Sequence, residues 1–354
     1  MIAPMTQISR FACSAMTHRP SLVTGATGLL GSHIAERVVA SGRPVRALVR
    51  PSSDTSFLRA IGVELVVGDL ADPASCAEAV RGADVVYHAA AKVGDWGRWE
   101  EFRRDCLEAT ERLARAATAA GVERFVHISS TSAYGHPREG GPPVDETAPL
   151  GQNLWPIWDD YTRSKVECER ILWQLAEQAD LRLTVIRPSW LYGERDRTTT
   201  ARIVGKLRRG GIPLIGSGDN PLSAIYAGCV ADAAILASSH PAALKQAYNV
   251  TDQGPITQRE FFDLWASALG VPSSRRRLSY PLVFHAALGL EAGARLLRRR
   301  RPPVITRYAT WLMGRDLGYS TAKIRSELGW SPGIDYTESI ARTIAWFQGP
   351  SART

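Results

Sequence analysis

A short apolar run, Ser21-Leu22-Val23-Thr24, passes directly into Gly25-Ala26-Thr27-Gly28-Leu29-Leu30-Gly31, and an apolar helical pattern begins at Leu29. Few local patterns restrict a chain as strongly. Glycine at 25 permits a tight turn, glycine at 28 lets the backbone approach a bound group, and glycine at 31 lets the new helix pack closely. The helix start, with Thr27, Leu29 and Leu30 around it, then offers unpaired N–H groups to a diphosphate. Glycine spacing alone is a weak signal, but a strand before it and a helix after it point to dinucleotide binding.

The rest of the chain repeats the alternation. Apolar runs over 45–49, 64–67, 84–88, 124–128 and 183–186 read as strands, and 29–41, 102–120 and 161–179 as helices. Near-continuous apolar strands separated by helices predict an α/β fold, a doubly wound parallel sheet of Rossmann type covered on both faces. Residues 16–187 are expected to form the dinucleotide-binding domain, with 224–250 returning to it. Residues 188–223 and 251–347 are expected to form a smaller substrate-binding region, and 1–15 a disordered extension.

Composition narrows the class. With 354 residues, 45% hydrophobic and 22% charged, the chain is of ordinary globular type. Its five cysteines are scattered and suggest neither a disulfide scaffold nor a metal site, so a reducing cytoplasm is the expected setting. The first nineteen residues lack the apolar run of a signal peptide. The net charge of +8 is uneven: residues 271–330 hold twelve Lys/Arg against three Asp/Glu. Arg275 to Arg277 and Arg298 to Arg301 flank an apolar segment, 280–297, that is marginal in length for spanning a bilayer. The favoured reading is an amphipathic helix over the substrate pocket with solvated arginines. Peripheral membrane contact through 275–301 is the alternative. Nucleic-acid binding is disfavoured, since no recognised module accompanies the charge.

Two further clusters carry chemistry. The second strand ends in Val49-Arg50-Pro51, where NAD enzymes usually place a carboxylate. A guanidinium suits a 2′-phosphate, so Arg50 favours NADP over NAD, and Asp54 nearby weakens the inference. In Tyr161-Thr162-Arg163-Ser164-Lys165, tyrosine and lysine four apart share a helix face. A phenol is a poor acid–base group at its ordinary pKa near 10, and a neighbouring ammonium favours its phenolate. The hydroxyl cluster Ser129 to Ser132 follows an apolar strand, at the carboxyl edge where ligands bind in such sheets.

With these residues in view, the chain resembles the extended short-chain dehydrogenase/reductase superfamily over nearly everything after Met16. The likeness is carried by the glycine turn, Gly68-Asp69-Leu70, His88-Ala89-Ala90-Ala91, Ile128-Ser129-Ser130 with Tyr134-Gly135, the Tyr161–Lys165 helix, Arg187-Pro188 and Tyr192-Gly193. It implies that Asp69 and Leu70 meet the adenine, that His88, Ala89, Ala90 and Ala91 lie under the cofactor, and that Pro188 contacts the nicotinamide. It also implies that Tyr161 moves the proton, that Lys165 holds the nicotinamide ribose, and that Ser130 bonds the reacting oxygen, with Ser129 the second choice. Three departures matter. Cys106 stands where the family often has Asn, which puts a proton relay drawn from that Asn in doubt. Ser130-Thr131-Ser132 lacks the acids of the sugar-nucleotide dehydratases. Asn220-Pro221-Leu222-Ser223 lacks the arginine that sugar-nucleotide epimerases aim at the substrate diphosphate.

Within the superfamily, the loop 91–97 and the stretch 319–346 are similar to the 3β-hydroxysteroid dehydrogenase-like and 2-alkyl-3-oxoalkanoate reductase-like enzymes. Trp96, Trp99, Trp155, Trp158 and Trp190, on loops near the cofactor edge, suit a small hydrophobic substrate. Lys92 and Tyr192 complete the expected substrate contacts. The expected reaction interconverts a secondary alcohol and a ketone through Ser130, Tyr161 and Lys165. A sugar-nucleotide epimerase and a non-catalytic dinucleotide sensor are the alternatives, and relatives suggest a homodimer through the helices 102–120 and 161–179.

Overall fold

The computed structural model describes residues 19–92, 94–251 and 253–349; the extension expected at 1–15 lies outside them. Strands β1 (Ser21–Thr24), β2 (Val45–Val49), β3 (Glu64–Val67), β4 (Val85–His88), β5 (Arg124–Ile128) and β6 (Leu183–Pro188) fall where the apolar runs place them. Beyond them come β7 (Trp190–Tyr192), β8 (Leu214–Ile215), β9 (Ala224–Tyr226), β10 (Gln246–Val250) and β11 (Arg277–Leu278). The main sheet has seven parallel strands in the order β10-β6-β5-β4-β1-β2-β3. The order reverses between β1 and β4, and in open α/β sheets that reversal opens a crevice at the carboxyl ends.

In the nucleotide-binding half the helices are α1 (Leu29–Ala40), α2 (Ser56–Ala60), α3 (Pro73–Val80), α4 (Trp99–Phe102), α5 (Ala109–Ala119) and α6 (Asp160–Gln178). After β6 follow α7 (Thr199–Arg208), α8 (Ala227–Ser239), α9 (Gln258–Leu269), α10 (Tyr280–Leu296), α11 (Arg307–Gly314), α12 (Ala322–Leu328) and α13 (Tyr336–Gln348). Alternate strand residues serve opposite faces, as a period of two requires. Val23, Ala47, Tyr87 and Val126 join α1 and α8 in one core; Leu22, Leu48, Val86 and Phe125 join α3, α5 and α6 in the other.

Two expectations need refinement. The helix read over 102–120 is interrupted: Arg103–Glu108 is a π-helical stretch between α4 and α5, and Cys106 lies inside it. Such bulges insert a residue into a helix and cluster at functional sites. The return expected at 224–250 is split as well. β9 pairs with β7 in a separate two-stranded sheet, whereas α8 packs on α1 and β10 closes the main sheet beside β6.

Candidate active site

Steric demand explains the glycine turn. Gly25 has φ +69°, and a Cβ there would lie 2.7 Å from the Ala90 nitrogen; a Cβ on Gly31 would lie 2.2 Å from the Gly25 carbonyl oxygen. The turn is thus wedged between the end of β4 and the first turn of α1. What Gly31 admits is the turn itself, rather than the sheet. Gly28 is the N-cap of α1, no side chain caps that end, and Thr27 and Gly28 are exposed. A cradle that a single Cβ would fill, at an uncapped helix N-terminus, fits a dinucleotide diphosphate. Leu29 is half-buried and Leu30 buried behind it.

Past β2, Arg50 is exposed; its carbonyl accepts from the Ser53 N–H at 2.9 Å, while its guanidinium has no hydrogen-bond or ion-pair partner among the described residues. Asp54 is engaged instead with Ser56 and with Arg197, 2.6 Å away. Those contacts, the Ser56 hydrogen bond first, hold the Asp54 carboxyl at about 2. Arg197 was not anticipated; its guanidinium pairs with Asp54, four residues after Arg50. Asp69, exposed, accepts from the Ala71 N–H at 2.8 Å, and the Leu70 carbonyl is held by Arg112 at 2.8 Å.

His88 is turned into the core, with its ring nitrogens 2.7 Å from Thr24 Oγ1 and 2.8 Å from Thr110 Oγ1. It ties β1 to α5 beneath the cradle. Burial, and then the charge of Lys165, push its pKa down to about 3. His127, on the neighbouring strand, is lowered by burial first and by Lys165 among the lesser causes. Lys165 is 7% exposed and lies one helical turn after Tyr161. Ala89, Ala90 and Ala91, just past β4, are half-buried. At the π-helical stretch, the Lys92 N–H reaches Cys106 Sγ at 3.3 Å, so a thiol accepts at the position where the resemblance often puts an Asn.

The two serines after β5 separate cleanly. Ser129 donates to Glu169 at 2.5 Å, and Glu169 is fully buried against Arg187, with Nη2 2.6 Å from Oε2. Arg187 also donates to the Tyr134 hydroxyl at 2.8 Å, which donates onward to Asn249 at 2.8 Å. This network anchors α6 to β6 and commits the Ser129 hydroxyl to structure. Ser130 belongs to a different chain of hydroxyls. Its Oγ donates to Ser132 Oγ at 3.1 Å, and Ser132 Oγ is 2.6 Å from the Tyr308 hydroxyl. The Tyr308 ring lies edge-on to Tyr161, with centroids 5.3 Å apart.

Tyr161 and Tyr308 share a pocket with Trp96, Trp155 and Trp158. Its charged wall is largely compensated. Arg307 bonds Glu291 at 2.8 Å, both buried. Arg295 lies over Trp96 at 4.7 Å and Trp158 at 5.1 Å, and 3.6 Å from Asp160. Asp95 accepts from the Thr306 hydroxyl, and burial pushes its carboxyl up. Three indoles thus lie over a wall of compensated charges.

Several expected substrate contacts lie elsewhere. Tyr192 is 1% exposed and its hydroxyl bonds Gln253 and Ser339, because the ring belongs to the core between β7 and α9. Trp190 packs on Phe261 and Phe262 for the same reason. Lys92 is paired with Glu101 at 2.7 Å, and Trp99 lies under the Arg163 guanidinium at 3.9 Å. Trp96 lines the pocket that also holds Tyr161. Sequence reading missed Tyr308 because nothing local distinguishes it, and it took Ser132 only as a member of the hydroxyl cluster. Glu291 and Arg295 carried a signal: two charges four apart in an otherwise apolar helix. Among the described residues, no group of His, Cys, Asp and Glu could hold a metal ion.

Residues 21–251 match the model of the NAD dependent epimerase/dehydratase family. The chain is 30% identical over 336 residues to the 2-alkyl-3-oxoalkanoate reductase of Stenotrophomonas maltophilia, covering 92% of this chain and 98% of that protein. It is 29% identical over 343 residues to the 3-beta-hydroxysteroid dehydrogenase of Mycolicibacterium neoaurum, covering 92% and 90%. Among solved structures, that of gox2253 superposes with a TM-score of 0.77 at 28% identity, over 94% of this chain and 98% of that one. The UDP-glucose 4-epimerase of Thermotoga maritima, at 20% identity and TM-score 0.73 over 93% and 98%, shares the fold. A family model covering the glycine cradle and the whole parallel sheet, with relatives matching almost end to end, makes this chain a member of the NAD dependent epimerase/dehydratase family, of the oxidoreductase kind.

Proposed function

We propose that the protein interconverts a ketone and a secondary alcohol on an apolar substrate, with NADP preferred over NAD. The observation that carries this reading is Tyr161, on the wall of a pocket with three indoles and one turn from the buried ammonium of Lys165. Gly25, Gly28 and Gly31 would hold the dinucleotide diphosphate, and Arg50 with Arg197 its adenine end. When bound, the nicotinamide supplies hydride to the carbonyl carbon or accepts it from the alcohol. Tyr161 moves the proton at the substrate oxygen. Lys165 stabilises the phenolate left behind, by charge at close range. Ser130, oriented by Ser132 and Tyr308, hydrogen-bonds the same oxygen and holds it in place. The indoles of Trp96, Trp155 and Trp158 exclude water and take up the apolar body.

The names of the two curated relatives, a reductase of 3-oxo acids and a steroid dehydrogenase, support an oxygen-bearing lipophilic substrate. The test pairs NADPH or NADH with steroid ketones, long-chain β-keto acids and aryl ketones, read as loss of reduced-nicotinamide absorbance. Turnover is expected with NADPH, and Tyr161→Phe should abolish it while cofactor binding stays almost intact. Near-normal turnover in that variant would remove the acid–base role. A sugar-nucleotide epimerase reading would instead require a cation for the substrate diphosphate, and the segment 220–223 has none.

A further inference from the structure

Helix α10 has an unusual distribution of polarity. Its buried face holds Val283, Ala287, Ala294 and the charged Glu291, while its outer face carries Leu282, Ala286, Gly289, Leu290, Gly293 and Leu296. A surface helix ordinarily buries its apolar stripe and shows charge to water. Here a carboxylate faces inward and leucines face outward. Leu278, Leu282, Leu290, Leu296, Leu297 and Val304 are six of the nine exposed large hydrophobic side chains among the described residues. A cluster of this kind marks an interaction surface. Arg275, Arg276 and Arg277 precede the helix and Arg298, Arg299, Arg300 and Arg301 follow it, all exposed. No exposed carboxylate lies between 271 and 301.

We infer that α10 is a docking face for a membrane surface bearing anionic lipid, its outer leucines resting at the acyl boundary and both arginine runs on the headgroups. Charge decides the occupant. A second copy seated on this face would bring its own arginine runs alongside, with no carboxylate in the stretch to answer them. An anionic bilayer meets the apolar strip and the cations at once. No helix among the described residues is long and apolar enough to cross a membrane, so the contact is peripheral. The inner side of the same helix gives Glu291 and Arg295 to the pocket that holds Tyr161. A lipophilic ketone held in the bilayer would therefore lie about one helix diameter, roughly 10 Å, from the site; this corollary alone rests on the function proposed above.

The test floats the full chain with vesicles of phosphatidylcholine alone, or with roughly 30 mol % phosphatidylglycerol added. Flotation with the anionic vesicles only, weakened by salt, is expected. Replacing Arg298 to Arg301 with Gln should reduce binding by roughly fivefold per arginine removed. Leu290→Glu with Leu296→Glu should cut binding at least about tenfold. These leucines are exposed, so an unchanged melting curve is expected, and the arginine variant remains an independent test. Equal flotation with neutral vesicles, or binding indifferent to both variants, overturns the inference. So does a concentration-dependent dimer by light scattering that the leucine variant abolishes. Lipid binding is read without turnover, so its failure is distinct from failure of the ketone assay.

Discussion

Replacing Arg187 with Met tests how the catalytic helix is held. Arg187 makes four hydrogen bonds: three reach Glu169, at 3.0, 3.2 and 2.6 Å, and one reaches the Tyr134 hydroxyl at 2.8 Å. Arg187→Met removes the guanidinium and leaves the Glu169 carboxylate fully buried. Its remaining partners are the Ser129 hydroxyl and, at 3.4 Å, the Trp173 indole. Breaking a buried pair in this way costs about 3–5 kcal/mol, most of it the penalty of an uncompensated charge. At about 2 °C per kcal/mol for a chain of this size, melting should fall by roughly 6–10 °C. Urea unfolding followed by tryptophan fluorescence measures the loss directly. The double variant Arg187→Met/Glu169→Leu should recover most of the stability, because no charge is then stranded. Glu169 lies one helical turn beyond Lys165, so the single variant should also lower kcat by loosening α6, with little change in cofactor affinity. A single variant that costs less than about 1 kcal/mol, or a double variant that costs the sum of both singles, would refute the argument.

Tyr308→Phe should lower kcat about five- to tenfold without altering NADPH affinity, since one hydrogen bond of about 1 kcal/mol is lost from the chain that orients Ser130. Ser132→Ala should match it, and the double variant should be no worse than either; steady-state kinetics on all three decides. Arg50→Ala should weaken NADPH far more than NADH in fluorescence titration, whereas equal losses would remove the NADP preference. Stability should fall as the medium is acidified. His33, His88 and His127 are all lowered, burial being the largest cause for each. The unfolded chain therefore binds more protons than the native one below about pH 6.5, the unfolded histidine value. Stability is complete above that value and is lost on descent toward the folded pKa, about 3 for His88. The slope is about 1.4 kcal/mol per pH unit for each histidine. Urea melts from pH 7 to 5 should show it, and His127→Leu should make it shallower by about one proton; a flat profile would contradict the reading.

Much of the fold was legible because its signals are local. The strands β1, β2, β3 and β5 are apolar runs bounded by polar or turn residues, and each falls where its residues place it. The cradle was legible too, since the left-handed turn at Gly25 and the contact of Gly31 with the Gly25 carbonyl fall within seven residues, although the Ala90 backbone that also presses on Gly25 is distant in sequence. The resemblance put Ser130 ahead of Ser129, but the physical reason for that choice was not legible. It depends on Glu169, forty residues away, and on the pairing of that carboxylate with Arg187. Tyr192 shows the same limit from the other side. A tyrosine in a familiar motif looks available for a ligand until Gln253 and Ser339 are seen to take its hydroxyl.

What the sequence determined by itself was therefore what short-range forces enforce: strand and helix periodicity, the glycine turn, and tyrosine and lysine on one helix face. Only the tertiary structure decided which polar groups spend their hydrogen bonds on the fold and which remain for a substrate. It brought Tyr308 against Tyr161 and Ser132 across a gap of more than a hundred residues, and it turned the leucines of α10 outward and Glu291 inward. Side-chain partnerships of that range are settled by packing, and no local spacing along the chain records them.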